Sequence, residues 1–491
     1  MHNYRMECKI QSMEPMNLLF IFSDQHSKRV TGCYGNSYVK TPNLDRLAEN
    51  GVRFNNAYCN SPLCVPSRAS MVTGNYASRN GYWDNAHAFA GECASWGSIL
   101  HEQGFPVTTI GKLHFKNNSP DTGFVDQRIP LNIKDGIGDV YGAIRDKNIT
   151  RYQFRDAIYQ AGAGNSDYIT YDCNIAQRAA DYLKNEAVKH KKPFVLFVGF
   201  VAPHFPLIAP QEFFDMYKGD ASIREPIQFE KSLWPHHPVI DDYRRYCGTE
   251  NIDRETAFKA IKAYYALCSF MDAQMGIVLN ALKESGLSKN TRIIYSSDHG
   301  DTMGDHGLYF KSTMYDGSVG IPMIISGPDL PKGKTVDTNV SLVDIFPSVL
   351  ECVGAQISED NRKLPGKSLW RFAQGEEDQQ REVFSEYYSQ GIYTAMFMLK
   401  KGNYKYVHYV GERPQLFNLE EDPDEINDLA ENQAYADICK ELELRLYEIA
   451  DVEELEVQSK KAQKKLLDAH GGEKEFLKNF KPALFSPIPK L

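Results

Sequence analysis

Cys64 stands in the run Ser61-Pro62-Leu63-Cys64-Val65-Pro66-Ser67-Arg68-Ala69-Ser70-Met71-Val72-Thr73-Gly74. Pro66 suits the first turn of a helix, where a missing N–H costs nothing. Residue 64 then lies at the positive end of that helix, a place suited to a tetrahedral anion. Arg68, about one turn on, returns to the same face and can bind the anion or the nucleophile. Alone, a free Cys before a helix is ordinarily a buried structural thiol. It has company, however, in Asp24-Gln25, Lys112 with His114, Pro203-His204 and Asp298-His299. Each follows an apolar run immediately, which is where α/β folds gather their chemistry. Singly, such residues are strand-end caps or solvated loop groups. Their shared position is the signal.

The runs that must carry them are near-continuous and apolar, the pattern of strands buried on both faces: residues 17–23, 107–110, 194–200, 292–297 and 322–326. Helical stretches lie between, at 43–49, 172–188, 254–284 and 343–353. Alternation of this kind predicts a large three-layer α/β/α domain around a mostly parallel mixed sheet. Residues 116–167 and 219–251 read as polar insertions able to rim a pocket. From about residue 379 the pattern alternates as in a small antiparallel sheet, at 383–387, 394–399, 404–407 and 415–418. One or two helices follow over 434–478. The expected division is a catalytic domain over 1–378 and a C-terminal α+β subdomain with a helical tail over 379–491.

Length and composition agree with two soluble globular units: 491 residues, 42% hydrophobic, 24% charged, net charge −9. The acidic balance argues against nucleic acid, so an anionic substrate has to be drawn by local cations. No apolar run approaches membrane-spanning length, and residues 18–22 are too short for an export signal. The ten scattered Cys read as reduced thiols of a cytoplasmic protein.

The pentad Cys64-Val65-Pro66-Ser67-Arg68 resembles the signature of the formylglycine-dependent sulfatases, within the alkaline phosphatase superfamily. Gly111-Lys112-Leu113-His114, Pro203-His204-Phe205-Pro206, Asp298-His299-Gly300-Asp301 and Lys311 resemble further motifs of that family, in family order. The resemblance runs from residue 17 to about 429. It implies oxidation of Cys64 to formylglycine (3-oxoalanine) by a maturation enzyme, and a hydrated aldehyde as nucleophile. It implies one divalent metal ion held by Asp24, Gln25, Asp298, His299 and residue 64. Ca²⁺ is the first choice and Mg²⁺ or Mn²⁺ the alternatives, the imidazole tilting the set toward Mn²⁺. Gln25 and His299 depart from the commoner Asp and Asn, and resemble choline sulfatases, some glycan sulfatases and phosphonate monoester hydrolases. His306 would support the metal shell.

The implied reaction is hydrolysis of a small-molecule sulfate monoester. Lys112 and Lys311 would bind sulfate, with Arg68 beside the nucleophile. His204 would protonate the leaving alcohol and His114 would take a proton from the second hydroxyl so that sulfate is expelled. Asn85 would line the pocket. A sulfated mono- or disaccharide is the expected substrate, with choline sulfate second. A phosphonate monoester or phosphate diester hydrolase is the rival, although those relatives lack the Lys112/His114 pair. A non-catalytic binder on the same fold is the third reading. Trp83, Asp84, His87, Trp234, His236 and His237 are expected at the rim, and homo-oligomerisation is left open.

Overall fold

A computed structural model describes residues 13–147, 149–479 and 485–490 of the chain. Eight strands form one sheet: β1 (Asn17–Asp24), β2 (Gly51–Phe54), β3 (Val107–Lys112), β4 (Asp126–Leu131), β5 (Val195–Pro203), β6 (Thr291–Ser297), β7 (Met323–Ser326) and β8 (Lys334–Val336). Their order across the sheet is β8-β2-β7-β6-β1-β5-β3-β4. Neighbours are parallel except at β7, which runs antiparallel to both β2 and β6.

β1 sits centrally, and alternate side chains feed two cores. Leu18, Phe20 and Phe22 pack with α2 (Cys64–Thr73) and α5 (Ile345–Val353) on one face. Leu19 and Ile21 pack with α1 (Pro42–Glu49), α3 (Asp167–Asn185) and the second half of α4 (Arg254–Glu284) on the other. A central strand covered on both faces has no polar side, which is why its sequence is continuously apolar. The layers are those expected. α4 corrects one expectation: it is long and apolar enough to cross a membrane, but most of it is buried inside the protein.

Two close approaches bring the site strands together. A Cβ on Gly111 would lie 2.3 Å from the Gly199 carbonyl oxygen, and one on Gly199 would lie 2.3 Å from that of Lys112. Only glycine at both places lets β3 and β5 converge beneath Lys112.

The stretch expected as a featureless insertion over 116–167 instead contributes β4 and a short helix, Gln153–Tyr159. β4 reads Asp-Gln-Arg-Ile-Pro-Leu, and its charges and proline are tolerated because it is an edge strand. The 219–251 segment likewise holds the helix Pro238–Cys247, capped by His237. The second sheet is a meander of β9 (Glu382–Tyr387), β10 (Met396–Lys401), β11 (Tyr404–Tyr409) and β12 (Gln415–Asn418). Three helices follow rather than one or two: α6 (Ala436–Ile449), α7 (Val452–Ala469) and α8 (Glu473–Asn479). Asp451 caps the second, and Gly471 and Gly472, both at positive φ, turn the chain into the third.

Candidate active site

Asp24 ends β1, Lys112 ends β3, Pro203 ends β5 and Asp298 follows β6, so the carboxyl ends of neighbouring strands deliver four groups to one point. α2 delivers Cys64 at its first residue, with Asn85 Oδ1 accepting from the Val65 N–H in the same turn. Pro66 falls at the third position, where no intrahelical donor is needed. Four non-glycine residues near this point have positive φ: Gln25, His114, Phe310 and Ser312, the last two flanking Lys311. Left-handed backbone at non-glycine residues is unfavourable and gathers where a side chain has to be aimed.

One ligand atom each from Asp24, Cys64, Asp298 and His299 lies within 4.8 Å of all the others, and all four residues are buried. His299 Nδ1 donates to the Gly300 carbonyl at 3.0 Å, which leaves Nε2 as a lone-pair donor 3.2 Å from Cys64 Sγ. Arg68 lies beneath this group rather than on the cavity wall. Its Nε donates to Asp298 Oδ2 at 2.9 Å, one terminal nitrogen to Asp24 Oδ2 at 3.0 Å, and the other to the Lys112 carbonyl at 3.0 Å. Lys112 Nζ reaches Asp24 Oδ2 at 2.7 Å. Lys311 Nζ donates to Gln25 Oε1 at 2.6 Å and lies 3.5 Å from Cys64 Sγ. His204 Nδ1 donates to the Phe205 carbonyl at 2.7 Å, and its Nε2 points toward Asp24 Oδ1 at 3.9 Å.

Burial alone would raise the Asp24 carboxyl, but Lys112, His204, Arg68 and Lys311 hold it well below its ordinary value. Burial and the Asp24 charge push Asp298 up to about 7. Burial, reinforced by Asp24, pushes the Cys64 thiol up to about 11, so the encoded side chain is a thiol at neutral pH. Burial first, then Lys112 for His114 and Lys311 for His204 and His299, hold the three imidazoles well below their ordinary value. Two carboxylates and a neutral imidazole around residue 64 suit a hard divalent cation.

Above this floor opens a cavity of about 370 Å³, lined by Cys64, Asn85, Lys112, His114, His204 and Lys311 among others. The wall also contains residues not singled out from sequence: Arg151 and Phe154 from the 116–167 segment, Tyr168 from α3, Gln390, and Phe476, Phe485 and Ser486 from the C-terminal end. Asp301, the last residue of the Asp298-His299-Gly300-Asp301 run, accepts from Gln25 Nε2 at 2.6 Å and so orients that amide. Six rim expectations are corrected, since Asn85 alone of that set lines the cavity. Trp83 packs on Tyr388, and Asp84 binds His87 and Gln463. Trp234 lies against Gly307, His236 faces Asp241, and His237 caps a helix through Nδ1 while its Nε2 donates to the Arg413 carbonyl at 2.9 Å. His306 pairs with Gln228 at 2.7 Å instead of supporting the metal cluster.

The family profile described as Sulfatase matches residues 16–355, and one described as N-sulphoglucosamine sulphohydrolase, C-terminal, matches residues 304–452. The chain is 29% identical over 426 residues to the choline-sulfatase of Rhizobium meliloti (strain 1021), covering 85% of this chain and 82% of that protein. It is 28% identical over 462 residues to the arylsulfatase K of Homo sapiens, covering 88% and 82%. In structure it is similar to the phosphonate monoester hydrolase of Agrobacterium radiobacter, with a TM-score of 0.71 at 22% identity over 90% of this chain and 96% of that one.

Proposed function

The chain belongs to the sulfatase family and is a hydrolase acting on sulfuric ester bonds, and from that premise we propose that it cleaves the sulfate monoester of a small alcohol, a sulfated mono- or disaccharide ahead of choline sulfate. The observation that carries the reading is the convergence of Lys112, Lys311, His114 and His204 with Cys64 on one cavity of about 370 Å³. Sulfate oxygens entering there meet two ammonium groups, whose charge stabilises the electron density moving to the leaving oxygen. Conversion of Cys64 to formylglycine would supply a hydrated aldehyde as nucleophile, which the thiol, held up to about 11, does not offer at neutral pH. A divalent cation on Asp24, Gln25, Asp298, His299 and residue 64 would supply Lewis-acid polarisation, with Ca²⁺ the first choice and Mn²⁺ or Mg²⁺ the alternatives.

The remaining steps belong to the chain's own side chains. Arg68 holds the Asp24 and Asp298 carboxylates in one orientation. His204, neutral in the free protein, gains a proton more readily once an anionic ester lies beside it, and can pass that proton to the departing alkoxide. His114 is the base for the step that frees sulfate. Because Cys64 is 1% exposed and every residue of α2 is buried, a maturation enzyme has to act before α2 packs.

Asn85, Lys134, Arg151 and Gln390 present polar groups beside the aromatic faces of Phe154 and Tyr168, a combination suited to a hydroxyl-bearing ring. Choline sulfate stands second on the likeness to a choline-sulfatase. The Lys112/His114 pair favours a sulfate monoester over a phosphonate monoester, and nitrophenyl sulfate against nitrophenyl phenylphosphonate compares the two by kcat/KM. The decisive experiment joins mass spectrometry of the Cys64 peptide with sulfate release. An aldehyde at residue 64 and complete loss of turnover in a folded Cys64→Ala protein are expected; turnover surviving that substitution refutes the reading.

A further inference from the structure

The C-terminal end of the chain returns to the mouth of the cavity. Gly471 and Gly472 reverse the chain after α7, and α8 brings Phe476 and Asn479 to the wall. Beyond it, Ser486 Oγ lies 3.2 Å from His114 Nε2, a contact across 372 residues of sequence. The Tyr168 hydroxyl donates to the Ser486 carbonyl at 2.7 Å, and the Tyr168 ring meets Phe485 edge-on with centroids 5.5 Å apart. The same Tyr168 ring faces His204 at 6.3 Å. Ile488 packs against the core formed by α1, α3 and α4, which anchors the segment from its far side. Pro487 and Pro489 restrict the backbone to extended conformations, so the strap is stiff where it crosses the pocket.

Two features give this contact a function rather than a mere resting place. Both imidazoles assigned to proton transfer are touched from one segment, His114 directly and His204 through Tyr168. Phe485 lines the cavity and is 47% exposed, so its ring is not enclosed by the rest of the protein. His114 Nδ1 is buried and makes no hydrogen bond among the described residues, so the Ser486 hydroxyl is what holds that ring.

We propose that the C-terminal strap is the outer wall of the substrate pocket: Phe485 sets the size of the alcohol that enters, and Ser486 is a positioning residue for His114. The inference rests on the sulfatase reading and adds that the enzyme takes a single small unit rather than a position within a polymer. A cavity of about 370 Å³ lies at the lower end of the roughly 300–1,000 Å³ of small-molecule sites. The Ser486 hydroxyl meets His114 at Nε2, so Nδ1 is the ring nitrogen left without a hydrogen bond among the described residues.

The test compares the full chain with Phe485→Ala, Ser486→Ala, Ser486→Thr and a protein ending at Asn479, using nitrophenyl sulfate, glucose 6-sulfate and a chondroitin sulfate tetrasaccharide. Shortening the chain, or Phe485→Ala, is expected to raise kcat/KM for the tetrasaccharide relative to glucose 6-sulfate by about tenfold or more, the scale of a lost pocket contact. Ser486→Ala is expected to lower kcat on nitrophenyl sulfate about tenfold at unchanged KM, with Ser486→Thr restoring it. If the shortened protein does not fold, the point variants carry the test. Should the full chain release no sulfate from any substrate, the sulfatase reading fails; binding of glucose 6-sulfate and the tetrasaccharide to Cys64→Ala proteins with and without Phe485→Ala then tests the wall by itself. An equal change on all substrates would mark the strap as a plug, and no change would mean it does not border the pocket; either result overturns the proposal.

Discussion

At the scale of single residues, His204 is the side chain whose role is most sharply testable. Its Nδ1 is committed to the Phe205 carbonyl, so only Nε2 can exchange a proton with a ligand. An alkyl alcohol leaves as a strongly basic alkoxide and needs that proton, whereas nitrophenol leaves as a stabilised phenolate. His204→Ala is therefore expected to lower kcat on an alkyl sulfate by roughly 10²–10⁴-fold, the usual range for a lost general acid. On nitrophenyl sulfate the same change should be less than about tenfold. Equal losses on the two esters would show that His204 binds the sulfate or shapes the site instead of protonating the leaving group.

Among the elements, α1 and α4 are joined by one carboxylate. Asp272 of α4 accepts from the backbone N–H groups of Asn43 and Leu44, at 3.1 and 2.8 Å, and so caps α1 from another helix. Burial pushes its carboxyl up to about 6. A raised carboxyl contributes stability fully below its ordinary value and loses it as pH rises through the folded one. Relative to Asp272→Asn, the wild-type protein should lose up to about 3 kcal/mol between about pH 4 and pH 6, read from urea unfolding at each pH. Asp272→Ala, which strands two donors, should cost about 2–3 kcal/mol. A flat difference across that range would mean that the cap is ionised without penalty. The same elements show what can be read from sequence. β1 is legible because burial on both faces leaves a run of apolar residues, and α4 because apolar residues recur along its length between scattered polar ones. β4 is not, because an edge strand can keep its charges and its proline. The floor of the site is legible because Cys64, Asp24, Lys112, His204 and Asp298 each sit at the end of an element with its own pattern. Phe485, Ser486 and Tyr168 carry no such signal, since the fold alone brings the last residues of the chain back to His114.

Over the whole molecule, buried charge ties the two sheets into one body. Lys405 of β11 reaches Asp316 at 2.7 Å and pairs with Glu425, while Lys28, just beyond β1, reaches Asp316 from the other side at 3.5 Å. Breaking such a buried pair leaves an uncompensated charge, at about 3–5 kcal/mol, so the sheets resist separating. Asp24 ends β1 and Asp298 follows the neighbouring β6, and a cation between them would add its binding free energy to the folded state only. At a free ion concentration about 100-fold above Kd the gain is about 2.7 kcal/mol. Chelation of the purified protein should therefore lower Tm, and returning Ca²⁺, Mn²⁺ or Mg²⁺ one at a time should restore it, most strongly for the resident ion. Because the sheets are coupled, hydrogen exchange in β10 and β11, and the fluorescence of Trp83 packed with their core, should shift together with the metal site. Asp298→Ala should abolish the response to added ion while leaving a single unfolding transition. Two transitions, of which only the earlier residues respond to metal, would show that the buried ion pairs do not join the sheets and that the ion stabilises one of them alone.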